Sequence, residues 1–381
     1  MNQILHIFSD EKWTNSIVKQ FINTQIADQK YVVLVENDIN ELKYELDSNL
    51  PLIKIDINSK KYDNLLFDLE SYSSVFIHYL CEIKFEIIEN ISKHTKLVWM
   101  CWGQDIHKMI IANSYMPQTR RLLLKNGLKQ EYFWKYTLWL RQLKFPYTRR
   151  GKLLKRFDYC CPVIFSDLDE TNKKLKQKIQ YLPFHYSTLQ QLLGNSINDQ
   201  STGTNILIGN SSSYASNHLD VFEILSQINF GDRNIIVPLN YGDMKYGNQL
   251  EAIGKNLFGE KFMALRSFLE SKEYTSIIKS CSIAIFNHIR QQALGNILIC
   301  LWFGIRVYLN DKGSLFGYLQ GLKLPVYSIQ LDLTIRNEMI FNPLSYELLK
   351  ETRVILLAEF GEENTNKLTQ NVLENLNSLH S

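Results

Sequence analysis

The sequence predicts an α/β protein made of two Rossmann-like domains that face each other across a cleft. The chain has 381 residues, more than a single hydrophobic core usually supports. In both halves, short β-rich runs alternate with longer stretches of helical periodicity, which is typical of βαβ units and a mostly parallel sheet. A polar stretch, Asn195–Thr204, interrupts this alternation and predicts an interdomain linker.

In the first half, runs rich in β-branched and aromatic residues predict parallel strands. These runs are Gln3–Phe8, Tyr31–Val35, Ser74–His78, Leu97–Cys101 and Cys160–Phe165. Helical periodicity separates them, for example at Trp13–Ile26 and Glu82–Lys93. We therefore assign residues 1–195 to a first domain.

The alternation begins again after the linker. Strands are predicted at Asn205–Ile208, Asn234–Val237, Ser282–Phe286 and Arg306–Asn310. Helices are predicted at Ser216–Ile228, Lys245–Leu257 and Gln292–Phe303, the last ended by Gly304. Residues 205–360 form the second domain in this interpretation. Ser345–His380 also has a helical pattern, and the last residues of the chain, 361–381, are a candidate to pack back on the first domain.

Positive charge is concentrated in one segment, residues 119–157. The whole chain has a net charge of +3, yet this segment contains twelve Lys and Arg residues and one acid, Glu131, interleaved with aromatic residues. Such a pattern suits the interface of an anionic membrane, and the candidate contacts are Arg149, Arg150, Lys152, Lys155 and Arg156. Two alternatives are a nucleic-acid surface and a solvated basic hairpin.

Other features restrict the environment of the protein. The first ten residues lack a basic n-region and a cleavage site, so they predict a strand rather than a signal peptide. No apolar run approaches the ~18 residues of a membrane-spanning helix, so membrane contact is expected to be peripheral. The six cysteines show no disulfide or metal-binding spacing, which favours reduced thiols in a cytosolic protein.

Two loops are candidate phosphate sites. In the first, strand Ile206–Ile208 leads into Gly209, Asn210, Ser211 and Ser212, whose backbone N–H groups could converge near a helix N-terminus. In the second, Arg290, Gln291 and Gln292 follow a strand and precede a helix that contains Gly295, and the arginine fork suits phosphate oxygens. An ordinary capped turn and a solvated polar loop are the alternatives. Neither a dinucleotide-binding GxGxxG nor a P-loop motif occurs, which argues against NAD-dependent oxidoreductases and P-loop NTPases.

Candidate bases follow strands of the first half. Asp105 and His107 come just after one strand, while Asp10 and His78 lie at the ends of two others. A helix cap or a turn is the alternative role for Asp105. No DxD pair or HxxxH spacing accompanies these residues, so we expect no metal ion.

The sequence resembles the family 56 glycosyltransferases, the N-acetylfucosamine transferases of enterobacterial common antigen assembly. The specific elements are Gly-Asn-Ser at 209–211 and Arg-Gln-Gln at 290–292, in that order and spacing. Weaker elements accompany them along most of the chain: Ser9-Asp10, Phe76-Ile77-His78, Trp102-Gly103-Gln104-Asp105, Asn217-His218, Val237-Pro238 with Tyr241, Gly295 and Leu309-Asn310.

The resemblance implies a GT-B architecture and a metal-independent sugar transferase without a cofactor. It implies a TDP-linked 4-acetamido-4,6-dideoxygalactose donor bound by the second domain, with Asn217, His218, Tyr241 and Asn310 added to the two phosphate loops. The implied acceptor is an undecaprenyl-diphosphate-linked saccharide at the cytoplasmic face of the bacterial inner membrane, and no nucleic acid is expected. The alternatives are a transferase of a different nucleotide sugar for another surface glycan and a non-catalytic basic protein that binds anionic lipid or nucleic acid. Asp311–Ser314 and Ala293 depart from the family pattern.

Overall fold

The chain folds into two compact units, each of which is built from separate segments of the sequence. The structure is a computed structural model that describes residues 3–26, 28–36, 42, 44, 46–103, 105–106, 114–125, 140, 143–334 and 339–377. Unit 1 comprises Met1–Met109, Leu140–Gln191 and Phe360–Ser381, and unit 2 comprises Ile110–Trp139 and Leu192–Glu359. Gln104, His107 and most of the aromatic part of the basic segment lie outside the described residues.

Unit 1 is built on a parallel sheet with strand order β3-β2-β1-β4-β5-β6-β7. The strands are β1 (Ile4–Phe8), β2 (Gln29–Val35), β3 (Leu52–Asp56), β4 (Ser74–His78), β5 (Lys96–Met100), β6 (Tyr159–Cys161) and β7 (Gln180–Tyr181). Strand β1 pairs with both β2 and β4, with Ile7 opposite Val32 and Ile77. The order therefore reverses between β1 and β4, and the crevice at the carboxyl ends of these two strands is where open α/β sheets bind ligands.

Unit 2 repeats this arrangement with strand order β10-β9-β8-β11-β12-β13, again parallel. The strands are β8 (Asn205–Ile208), β9 (Ile235–Pro238), β10 (Phe262–Leu265), β11 (Cys281–Phe286), β12 (Arg306–Leu309) and β13 (Val326–Ser328). The switch point lies between β8 and β11. Both predicted phosphate loops leave the sheet there, because one follows β8 and the other follows β11.

Helices cover both sheets. In chain order they are α1 (Thr14–Thr24), α2 (Lys60–Asp68), α3 (Phe85–Asn90), α4 (Pro117–Lys125), α5 (Arg149–Leu154), α6 (Phe165–Leu175), α7 (Leu189–Leu193), α8 (His218–Leu225), α9 (Met244–Phe258), α10 (Ser271–Lys279), α11 (Leu294–Trp302), α12 (Ser314–Gly321), α13 (Tyr346–Phe360) and α14 (Glu362–Asn377). Local caps fix several of their starts. The Asp243 carboxylate, for example, accepts a hydrogen bond from Tyr246 N at 2.9 Å to begin α9.

The predicted C-terminal helix is two helices that belong to different units. Helix α13 lies in unit 2 and α14 lies in unit 1, with the break at Gly361. Helix α14 contacts α1, and its buried residues Val372, Leu373 and Leu376 join the core formed by β1, β2 and the inner face of α1.

Two sequence-based boundaries differ from the structure. The basic segment 119–157, assigned to the first domain from sequence, is divided, because α4 lies in unit 2 and α5 in unit 1. The stretch Asn195–Thr204, predicted to be a linker, is bonded to unit 2: Thr202 N and Gly203 N donate to Lys279 O at 3.2 and 3.3 Å. A Cβ at Gly203 would lie 1.9 Å from Ser280 O, so this close contact requires glycine.

Candidate active site

The first loop of unit 2 turns sharply at Gly209. This residue has φ +68°, and a Cβ there would lie 2.6 Å from Nε2 of His218. Glycine is therefore required both by the left-handed backbone and by the imidazole packed against it. His218 is fully buried, which lowers its pKa to about 3 and keeps the ring neutral. The family resemblance implies a donor contact for His218, whereas the structure places its imidazole behind the loop.

Beyond Gly209, three side chains form a hydrogen-bonded row across the sheet edge. Asn210 donates through Nδ2 to the Tyr241 hydroxyl at 2.8 Å and accepts through Oδ1 from Gln292 Nε2 at 3.0 Å. The row therefore joins the loops that follow β8, β9 and β11. Tyr241 is 54% exposed, whereas the Gln292 Oε1 atom is buried without a hydrogen-bond partner among the described residues. The sequence-predicted residues 210, 241 and 292 are thus brought together.

Arg290 and the start of α11 lie beside this row. Burial lowers the pKa of His288, and the nearby charge of Arg290 lowers it further. Gln291 is buried, and Ala293 precedes α11 with φ +66°. Gly295 is in the first turn of α11, whose N-terminus carries the positive end of the helix dipole. The arrangement offers a guanidinium, amide groups and a helix N-terminus at one sheet edge, a combination suited to an anion.

Other predicted donor residues hold the loops together. Ser212 Oγ donates to Tyr241 O at 2.7 Å, and Ser211 O accepts from Ser216 Oγ at 3.5 Å. Asn217, with φ +50°, donates through Nδ2 to Ser114 O at 3.0 Å. These contacts indicate a structural part for Ser212 and Asn217.

A buried group of amides extends this framework. Asn217 Nδ2 also donates to Asn287 O at 2.9 Å, and Asn310 Nδ2 donates to Asn287 Oδ1 at 2.7 Å. Asn217 and Asn310 are at most 1% exposed. The amide group ties the ends of β11 and β12 to the start of α8.

The described part of the basic segment that lies in unit 2 is held by one carboxylate. Asp220 on α8 accepts hydrogen bonds from Gln118 N at 2.9 Å, Thr119 N at 3.1 Å and Thr119 Oγ1 at 2.8 Å. A residue from a neighbouring helix therefore caps α4. This contact explains why 114–125 belongs to unit 2.

Unit 1 has a cavity of about 400 Å³ at its own switch point. Its polar lining includes Ser9, Asp10, Glu11, Glu36, Tyr79 and Glu82. Asp10, a predicted base, accepts a hydrogen bond from Tyr44 N at 3.1 Å. Glu11 is not among the residues predicted from sequence, although it follows Asp10 directly, because no pattern distinguishes one acid from the other.

The other two predicted bases are buried in unit 1. Asp105 is 2% exposed, and its carboxylate accepts hydrogen bonds from Leu80 N, Trp99 Nε1, Trp102 N and Cys101 Sγ at 2.7–3.3 Å. His78 is fully buried, stacks on Phe8 and lies 3.1 Å from His6 Nδ1. Burial raises the pKa of Asp105 and lowers that of His78. These contacts indicate structural parts for both residues rather than contact with a substrate.

The predicted membrane residues divide into two groups. Arg149 pairs with Glu89 at 2.7 Å, and Arg150, with 10% side-chain exposure, binds Leu80 O and Glu82. Arg156 donates to the carbonyls of Ile88 and Ile91. These arginines fasten α5 to unit 1, whereas Lys152 and Lys155 are exposed.

The described part of the chain contains neither a candidate metal site nor a candidate membrane-spanning helix. No group of three or more His, Cys, Asp or Glu side chains there is arranged to hold a metal ion. No helix within the same ranges has the length and apolarity needed to cross a membrane.

Solved glycosyltransferase structures have the same fold at low sequence identity. The O-GlcNAc transferase mutant of Thermobaculum terrenum gives a TM-score of 0.61 at 10% identity, covering 98% of this chain and 66% of that one. Sucrose-phosphate synthase of Thermosynechococcus elongatus gives 0.62 at 10% identity, with full coverage of both chains. Anabaena HepE in complex with UDP gives 0.55 at 10% identity, covering 99% of this chain and all of that one.

These similarities and the two parallel sheets confirm the predicted GT-B architecture. A family model, 4-alpha-L-fucosyltransferase of glycosyl transferase group 56, matches residues 129–342, which is more than half of the chain. The match confirms the resemblance seen in the motifs at 209–211 and 290–292. The chain therefore belongs to glycosyl transferase group 56 and is a glycosyltransferase.

Proposed function

We propose that the protein transfers 4-acetamido-4,6-dideoxygalactose from a TDP-linked donor to an undecaprenyl-diphosphate-linked saccharide in bacterial surface polysaccharide synthesis. The observation that carries this proposal is the convergence of Asn210, Tyr241, Gln292 and Arg290 at the switch point of unit 2. Membership of group 56 supports the reaction class, and the UDP complex of the Anabaena neighbour supports a nucleotide-linked donor.

The donor diphosphate would bind beside Arg290 and the N-terminus of α11. As the bond between the sugar and the diphosphate breaks, negative charge grows on the leaving nucleotide. The guanidinium and the helix N-terminus stabilise that charge most strongly when it is fully developed, so they lower the barrier. Gln292 Oε1, which has no hydrogen-bond partner among the described residues, is available to accept a hydrogen bond from the donor.

We further propose that these groups replace the metal ion that other sugar transferases use to neutralise a diphosphate. Arg290 supplies a permanent positive charge in the place where such an ion would act. We expect turnover to persist in EDTA. Complete loss of turnover in EDTA, restored by magnesium or manganese, would contradict metal independence.

The acceptor would be met by unit 1 at the cytoplasmic face of the inner membrane. Around α5, Tyr147 is 76% and Leu143 52% exposed, next to the exposed Lys152 and Lys155. Apolar and basic side chains together bind anionic headgroups peripherally. The nearby cavity would hold the saccharide.

A panel of nucleotide sugars tests the proposal. Nucleotide release should be fastest with the TDP-linked deoxyamino sugar and should require a lipid-diphosphate disaccharide. Preference for another nucleotide sugar would indicate a different surface glycan. If TDP and UDP both fail to raise the melting temperature and no sugar is transferred, a non-catalytic basic protein is the better description.

A further inference from the structure

Glu11 occupies a distinctive place in unit 1. It follows β1 within three residues, at the switch point of the sheet, and lines the 400 Å³ cavity. Ligands of open α/β sheets bind in this crevice. The residue is therefore in a position to meet a molecule held in the cavity.

A chain of hydrogen bonds fixes one side of the Glu11 carboxylate. Ser9 Oγ donates to Oε1 at 3.1 Å, and the fully buried Lys84 donates through Nζ to Ser9 Oγ at 3.0 Å and Tyr79 O at 2.9 Å. Among the described residues, Oε2 has no hydrogen-bond partner. The carboxylate is thus held in one orientation while an oxygen stays available.

The other acids at this edge are engaged differently. Asp105 is surrounded by four donors, and Asp10 accepts from the backbone of Tyr44. Glu82 forms an ion pair with Arg150 at 2.9 Å, and Glu36 is exposed. Glu11 alone among these acids combines a half-buried position, a fixed orientation and an unengaged oxygen.

We infer that Glu11 is the general base of the sugar transfer and acts on the acceptor hydroxyl bound in the unit 1 cavity. The inference rests on the proposed function. The acceptor O–H bond breaks and its proton passes to the Glu11 carboxylate, while the oxygen forms a bond to the anomeric carbon of the donor. The bond from that carbon to the diphosphate breaks, and its electron pair leaves with the nucleoside diphosphate. Direct displacement of this kind inverts the anomeric configuration.

The electrostatic surroundings fit this task. Burial raises the pKa of Glu11. The charge of Lys84 and the hydrogen bond from Ser9 lower that pKa, whereas the charges of Asp10 and Asp105 raise it further. Among the described residues, Tyr79, Cys81, Glu82 and Glu36 are the other titratable groups that line the cavity. A raised pKa makes the carboxylate a stronger base, and activity should fall as the pH drops through that pKa because the carboxylate becomes protonated.

Glu11→Gln provides the first test. The substitution should lower kcat about 100- to 10,000-fold while the KM for the donor changes little, because the donor groups lie in unit 2. The product of the wild type should have the inverted anomeric configuration. Glu70→Gln, an exposed acid of unit 1 outside the cavity, is the matched control and should keep wild-type rates.

Ser9→Ala gives a test that does not depend on removing the base. Loss of the hydrogen bond to Glu11 should raise the pKa of this carboxyl group. The acidic limb of the plot of kcat/KM against pH should then shift to higher pH by about half to one pH unit. A merely structural role of Glu11 would leave that limb in place. The melting temperature of each variant establishes that it is folded.

The outcomes separate this inference from the proposed function. If the wild type transfers sugar but the folded Glu11→Gln variant is equally fast, or if the product retains the donor configuration, Glu11 is not the base although the transferase proposal stands. If the wild type neither binds TDP nor transfers any sugar, the proposed function fails, and the inference fails with it.

Discussion

The two units place different chemistry at the same position of similar sheets. At the switch point of unit 2, a glycine turn, the row of Asn210, Tyr241 and Gln292, and Arg290 lie near a helix N-terminus. At the switch point of unit 1, Asp10, Glu11, Glu36 and Glu82 surround a cavity beside the buried Lys84. The first edge favours an anion, whereas the second disfavours one.

This difference shows that the switch point of an open parallel sheet can serve two different parts of one reaction. A diphosphate needs permanent positive charge and N–H donors, while a sugar hydroxyl needs a carboxylate that can take its proton. A four-carboxylate edge would repel a diphosphate. We therefore expect substitutions at the two edges to affect separate kinetic steps.

Among the changes at the switch point of unit 2, Arg290→Ala should have the largest effect on catalysis. Loss of a charge-assisted contact to the leaving diphosphate should lower kcat/KM about 100- to 1,000-fold, and donor binding should weaken as well. Arg290→Lys should recover only part of the activity because a point charge cannot replace the planar fork. Steady-state kinetics and calorimetric TDP titration would measure both effects.

Arg233→Ala is the control for Arg290, since Arg233 precedes β9 at the opposite edge of the same sheet. It should bind TDP like the wild type. Wild-type kinetics in folded Arg290→Ala would place this arginine outside the donor site and remove the contrast between the edges.

Gly209→Ala tests whether the loop geometry at the switch point of unit 2 depends on the turn at Gly209. A side chain at φ +68° that also overlaps His218 should lower the free energy of unfolding by about 2 to 4 kcal/mol. Gly194→Ala, at φ +51° with open space around the added methyl, isolates the backbone part of that cost. Equal losses in urea unfolding of both variants would show that His218 does not constrain the turn.

Substitution of the exposed lysines of α5 tests whether unit 1, which carries the acidic edge, binds a membrane surface. Replacing Lys152 and Lys155 with Gln should lower partitioning onto vesicles with acidic lipid about 10- to 30-fold, at roughly 1 kcal/mol for each charge. Salt should release the wild type. The double variant of Lys60 and Lys61, also exposed in unit 1, is the control. Equal binding of both double variants in sedimentation assays would argue against α5 as the membrane contact.

Ala293→Gly should have the smallest effect and the opposite sign. At φ +66° alanine is strained, so glycine should raise the free energy of unfolding by about 0.5 kcal/mol despite its greater freedom in the unfolded chain. Ala252→Gly, inside the regular helix α9, should instead destabilise. A loss of stability in both variants would show that the turn before α11 is not strained.

The fold was largely predictable from sequence because its central strands are continuous apolar runs. The predicted strands at β1, β4, β8 and β11 agree with the structure within one or two residues. The lateral strands β3, β7, β10 and β13 were not predicted, because they are short or partly exposed and lack that signal. The predicted strand Cys160–Phe165 was too long, since Pro162 follows β6 and Phe165 begins α6.

The site was predictable where local sequence determines the chemistry. Asn210, Arg290 and Gln292 could be found because each lies in a loop that follows a strand. The hydrogen-bond donors around Asp105 could not be predicted. Leu80 N comes from a strand end that is distant in sequence, and Trp99 points to the carboxylate only after folding. Glu11 differs from Asp10 because it accepts a hydrogen bond from Ser9, which in turn accepts one from the buried Lys84. No local sequence pattern predicts that Lys84 lies at this edge of the sheet.

The position of α14 has a consequence for synthesis on the ribosome. Residues 362–377 complete the core against Ile17, Val18 and Phe21 of α1, yet they are translated after all of unit 2. The part of the first helix that α14 covers is therefore exposed while several hundred residues emerge, a period in which exposed apolar surface promotes aggregation. A nascent chain halted before α14 should depend on holding chaperones far more than the finished protein does.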